Sequence, residues 1–64
     1  MRAKVICKAD RNKGLKQKWE YRGYIIVHSG DSEYDVYKDG AYLHCTTHFV
    51  HAKELVDYYI DLNA

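Results

Sequence analysis

"EYDVYKDGAYLHCTTHFVHAKELVDYYIDLNA", residues 33–64, changes period part-way along, and that change decides the fold. Up to Thr46 the side chains alternate: Tyr34 and Val36 against Asp35 and Tyr37, then Leu43 and Cys45 against Tyr42 and His44. A period of two is that of a strand with one buried face. Asp39-Gly40 between the runs signals a tight hairpin, because both central positions of that turn need positive φ. From Thr47 the spacing becomes helical. Phe49, Ala52, Val56, Tyr59 and Ile60 fall on one stripe with Leu55 flanking it, and Glu54, Asp57 and Asp61 lie towards the opposite side. Thr47 is the expected N-cap and Asn63 the expected stop.

Upstream, "KWEYRGYIIVHS" (residues 18–29) is rich in aromatic and β-branched residues and reads as a strand. As one continuous strand it shows Trp19, Tyr21, Gly23, Ile25 and Val27 on one face. Glu20, Arg22, Tyr24, Ile26 and His28 lie on the other. Gly23 marks a bulge or a turn that splits it. "RAKVICKA" alternates and reads as a further strand, whereas "DRNKGLKQK" is polar, has no period and reads as a loop.

These elements predict one α+β domain over residues 1–64. Residues 1–9 hold a strand, 10–18 a mobile basic loop, 19–46 a β-meander and 47–62 a helix. The expected architecture is a three- or four-stranded antiparallel sheet with one C-terminal helix packed on one face. Ile25, Val27, Tyr34, Val36, Leu43 and Cys45 are expected beneath the helix. Tyr24, Ile26, His28, Asp35, Tyr37, Tyr42 and His44 are expected on the uncovered face.

A chain of 64 residues that is 47% hydrophobic can form one core, but a small one. A domain this size buries only about 60% of its unfolded surface. Oligomerisation, metal or disulfides commonly support such cores. Cys7 and Cys45 are too few for a disulfide scaffold. The apolar run at the N-terminus is too short for an export signal and no stretch resembles a membrane span, so a cytoplasmic protein with reduced thiols is expected. Net charge is +1, but its distribution is uneven. Residues 1–22 carry eight basic side chains against Asp10 and Glu20, and residues 23–64 carry seven acidic ones against Lys38 and Lys53. A basic front joined to an acidic back either pairs internally or is aimed at an acidic partner.

The stretch from Tyr21 to Ile60 resembles the short β-β-β-α units of small phage and prophage proteins. The resemblance rests on Tyr-x-Gly-Tyr (Tyr21 to Tyr24), Tyr-x-Val-Tyr (Tyr34 to Tyr37), the Lys-Asp-Gly turn (Lys38 to Gly40) and a helix opening around Phe49 with Ala52-Lys53. The layout is also similar to the N-terminal arm-binding domains of phage-type integrases, although those read DNA through a basic sheet face. The resemblance covers about two-thirds of the chain, and its motifs are turn and core residues, so they support a fold and not an activity. An accessory or inhibitor role is the sort of job the resemblance implies.

"HCTTHFVH" (residues 44–51) is the densest concentration of metal-ligating residue types. Strand alternation puts His44 and Cys45 on opposite faces, and His48 and His51 alone are two ligands where zinc needs three or four. An outward His44, an inward Cys45, a cap and a first helical turn account for the cluster, and no metal or other cofactor is expected. A Cys45–His nucleophile pair lacks a shaped cleft. "DSEYDVYKDGAY" lacks the sixth-position glycine and twelfth-position acid of a calcium loop. A non-enzymatic protein without a small-molecule substrate follows. The uncovered sheet face is the expected working surface. Tyr24, Ile26, Tyr37 and Tyr42 are expected to anchor a protein partner or a homodimer, since tyrosine is enriched at interface cores. The alternative is a DNA- or RNA-binding accessory factor using Lys8, Arg11, Lys13, Lys16 and Lys18.

Overall fold

The computed structural model describes residues 2–30 and 32–63. It contains five strands and one helix: β1 Lys4–Cys7, β2 Lys18–Tyr21, β3 Tyr24–Gly30, β4 Glu33–Lys38, β5 Ala41–Thr46 and α1 Phe49–Leu62. The strands form one antiparallel sheet in the order β1-β2-β3-β4-β5, a pure meander with α1 against one side. The α+β class is as expected, but the sheet has five strands rather than three or four. No described helix is long and apolar enough to cross a membrane.

The extra strand comes from Arg22-Gly23. Both residues have positive φ, 51° and 88°, so they form a two-residue turn that breaks residues 18–29 into a hairpin. Tyr21 pairs with Tyr24 and Trp19 with Ile26. Paired residues share a face, so the alternation reverses across the turn. Ile26 and Val36 pair and are fully buried, Tyr24 is 7% exposed, and Ile25 and Val27 lie on the uncovered side. The expected assignment for β3 is therefore inverted. Ile25 and Val27 do not face the helix, and Tyr24 and Ile26 do.

A second reversal occurs in β5. The register slips between Val36 and Tyr37: Tyr37 pairs with Tyr42, and Val36 with His44, leaving Leu43 as the extra residue of a bulge. Leu43 and Cys45 were expected inside, yet both are exposed, and Cys45 pairs with Asp35 on the uncovered face. His44 shares the helix side with Val36 but stays exposed at the sheet edge.

The helix stripe is as the sequence predicts. Ala52 and Val56 are fully buried, with Phe49, Leu55, Tyr59 and Ile60 packed around them. Trp19 and Phe49 have ring centroids 4.5 Å apart at one end, and Tyr24 stacks on Tyr59 at 6.2 Å towards the other. His48, not Thr47, holds the N-cap position and makes no side-chain cap bond. Thr47 Oγ1 instead lies 3.0 Å from His48 Nδ1, and Thr46 Oγ1 donates to the His48 carbonyl. Asn63 ends the helix as expected, donating from Nδ2 to the Tyr59 carbonyl at 2.9 Å.

Asp57 was expected on the polar side but fastens the helix to the β2–β3 turn. Its carboxylate accepts from Arg22 Nη1 at 2.7 Å and from the Tyr21 hydroxyl at 3.1 Å. Arg22 holds Asp57 below the ordinary carboxylate pKa. This contact is therefore complete above that ordinary value and is lost as pH falls through the lowered one. Burial, then Asp57, pushes the Tyr21 hydroxyl above its usual pKa, so its contribution is complete below the usual value and is lost as pH rises through the raised one. Asp57→Asn is expected to flatten the fall of melting temperature between roughly pH 5 and pH 2, read by circular dichroism melts.

The hairpin turns also predict a stability effect. Gly40 has φ +83°, and a Cβ there would meet nothing within 4 Å. Gly40→Ala therefore isolates backbone strain and should lower unfolding free energy by about 1–2 kcal/mol in a denaturant titration.

Candidate functional site: the uncovered sheet face

With α1 on one side, the other side of the sheet is built from alternate residues of every strand. Cross-strand pairs place Lys4 beside Glu20 and Cys7 beside Lys18, then Ile25 beside Tyr37, Val27 beside Asp35, Asp35 beside Cys45 and Tyr37 beside Tyr42. The Tyr37 and Tyr42 rings meet edge-on with centroids 5.6 Å apart. Lys16, Lys18, Ile25, Val27, Tyr37 and Gly40 line an open concavity of about 460 Å³.

This arrangement revises the expected anchors. Tyr24 and Ile26 belong to the core and cannot contact a partner. Tyr37 and Tyr42 do lie on the open face, Tyr37 half-buried and Tyr42 57% exposed. Lys38, next to Tyr37 in β4, turns to the helix side. Its Nζ donates to the Gly23 carbonyl and sits 4.9 Å over the Tyr24 ring.

The basic segment is closer to the face than its place in the sequence suggested. β1 pairs with β2, so the chain between them is tied back to the sheet instead of trailing away, and Lys16 and Lys18 at its end line the concavity of the open face. That loop is organised: Asp10 and Leu15 bridge each other, and the Asp10 carboxylate accepts from the Asn12 amide at 3.0 Å. Lys8, Arg11, Lys13, Lys16 and Lys18 are all exposed, and so are Arg2 and Lys4. Among the described residues the one ion pair is Arg22–Asp57, so none of these seven cations is neutralised by the acidic half of the chain. Among the described residues, ion pairing between the two halves is thereby a single contact.

The histidine-rich stretch does not converge. His48 and His51 have ring centroids 5.0 Å apart at the helix start, His44 sits on β5, and His28 stacks on Tyr34 at 4.5 Å. No group of three or more His, Cys, Asp or Glu side chains able to hold a metal ion occurs among the described residues. Cys7 and Cys45 are free thiols in the two edge strands of the sheet. The Asp35 carboxylate, as a hydrogen-bond partner, pushes the Cys45 thiol above its usual pKa, and partial burial adds to this. A thiol held protonated is a poor nucleophile.

The uncovered side of a small α+β sheet is a shape met in many binding modules, and here it carries apolar, aromatic and basic groups together. No family model matches the chain, and neither a curated protein nor a solved structure shows significant similarity to it.

Proposed function

We propose that this chain is a non-enzymatic nucleic-acid-binding accessory factor, whose uncovered sheet face takes a single strand of DNA or RNA. The observation that carries this reading is the grouping of Lys16, Lys18 and Tyr37 around one concavity, backed by seven exposed cations that form no ion pair among the described residues. Tyr37 and Tyr42 offer ring surface on which bases stack, and the lysines offer charge for the phosphates. Asp35 and Glu20 also lie on the face, so the strand would run along the Lys16–Lys18 side of Tyr37. Duplex reading through the helix is disfavoured by charge, since exposed Glu54 and Asp61 outnumber Lys53 on its outer surface. The accessory role is the one the phage-type resemblance implies.

The protein-partner reading loses two of its four anchors to the core, which is why the nucleic-acid reading is preferred. Fluorescence anisotropy with mixed-sequence single strands at low salt tests it. Wild type should bind them more tightly than duplex of the same length. Lys16→Glu/Lys18→Glu should weaken binding by tenfold or more, about 1.4 kcal/mol. Absence of binding at low salt would overturn the proposal.

A further inference from the structure

The two edges of this sheet differ in a way that points to a second copy of the chain. β1 is short, carries Lys4, is flanked by Lys8 and slips register between Val5 and Cys7. Charge and irregularity of this kind discourage strand addition. β5 is "AYLHCT", six residues without a charge or a proline, and its outer edge has no strand beside it. Tyr42 is 57% exposed and Leu43 36%.

The helix sits off-centre towards the same edge. The backbone of α1 packs closest to β4 and β5. On one flank Lys53 and Asp57 reach back to Tyr21 and Arg22. The opposite flank, by the 100° step of a helix, carries His51, Tyr58 and Leu62. Tyr58 is 57% exposed and Leu62 62%.

We propose that β5 is the seam of a two-fold homodimer, in which the β5 strands of two copies pair antiparallel into one continuous ten-stranded sheet. A two-fold axis at this edge sets an uncharged strand against itself, so no like charges are opposed. The same operation at β1 would set lysines against lysines. With strands about 4.8 Å apart, the two off-centre helices come within roughly three strand spacings of each other. Tyr58 and Leu62 of each copy then cover the seam from above. The bulge at Leu43 leaves His44–Thr46 as the regular stretch where pairing centres. A core of six buried side chains gains most from such an addition. The two uncovered faces end on the same side of the joined sheet. The dimer stands whether or not those faces bind nucleic acid.

Sedimentation equilibrium under reducing conditions, across a wide concentration range, tests the seam. The expected mass is twice the 7.5 kDa of the chain. Leu43→Lys should raise the dimer dissociation constant by about tenfold or more, because a lysine on an edge strand opposes strand addition, with the helical circular dichroism signal kept as evidence of folding. A short bis-maleimide should link two copies through Cys45. That link should persist in Cys7→Ser and vanish in Cys45→Ser. A chain that stays monomeric at every concentration overturns the proposal. So does a dimer that Leu43→Lys leaves unchanged or whose link depends on Cys7.

Discussion

Ile26→Ala should cost roughly 2–5 kcal/mol of unfolding free energy, whereas Ile25→Ala should cost about 1 kcal/mol or less. Ile26 is fully buried between Val36 and the helix stripe, and its truncation leaves a cavity in a core of only six buried residues. Ile25 is half-buried on the other side of the sheet. A core this small supplies about 3–5 kcal/mol in total, so the Ile26 variant should lose most of its folded population or melt upwards of about 10 °C lower. The neighbouring isoleucines are thus an internal control for which face of β3 is inside. Thermal melts of both variants decide it, and equal losses would contradict the face assignment.

Binding to a single strand should fall roughly 100- to 1,000-fold between 50 mM and 200 mM salt. The estimate follows from the seven exposed cations of residues 2–18. If five to seven of them contact phosphates, the log–log salt slope is about −3.5 to −5 for a single-stranded ligand. Lys16→Glu/Lys18→Glu should make that slope shallower by about 1–2. Tyr37→Ala should leave the slope unchanged and weaken binding at every salt concentration by about 1–3 kcal/mol, the loss of one stacked base. The two variants therefore separate charge from stacking on one surface. Anisotropy titrations at several salt concentrations supply all three numbers.

Much of the fold is legible in the sequence, and the part that is not has a specific cause. The helix stripe of Phe49, Ala52, Val56, Tyr59 and Ile60 follows from period alone, because burial of one helix face leaves few alternatives. The Asp39-Gly40 hairpin follows from turn chemistry and is present, with φ of 52° and 83°. Arg22-Gly23 makes the same kind of turn, but arginine is not a usual residue at positive φ. Its hydrogen bond to Asp57, distant in sequence, secures the turn, and local propensity carries no trace of it. Because a strand has period two, missing one two-residue turn moved Tyr24 and Ile26 from the core to the surface. The bulge at Leu43 did the reverse to Cys45, which was expected inside and lies exposed on the uncovered face. The candidate site inherits both effects. Tyr37 and Tyr42 were legible as open-face residues, while the placement of Lys16 and Lys18 beside them depends on β2 folding back onto β3 through the unforeseen Arg22-Gly23 turn, which sets Lys18 opposite Val27.

The central claim is that the uncovered sheet face is the binding surface. A titration of the ¹⁵N-labelled chain with an unlabelled single-stranded oligonucleotide at low salt, followed by amide chemical shifts, tests it most directly. The account predicts the largest changes at Lys16, Lys18, Ile25, Val27, Tyr37 and Tyr42, with Glu54 and Asp61 on the outer side of the helix unmoved. Changes centred on the helix, or an unchanged spectrum at saturating oligonucleotide, would contradict it.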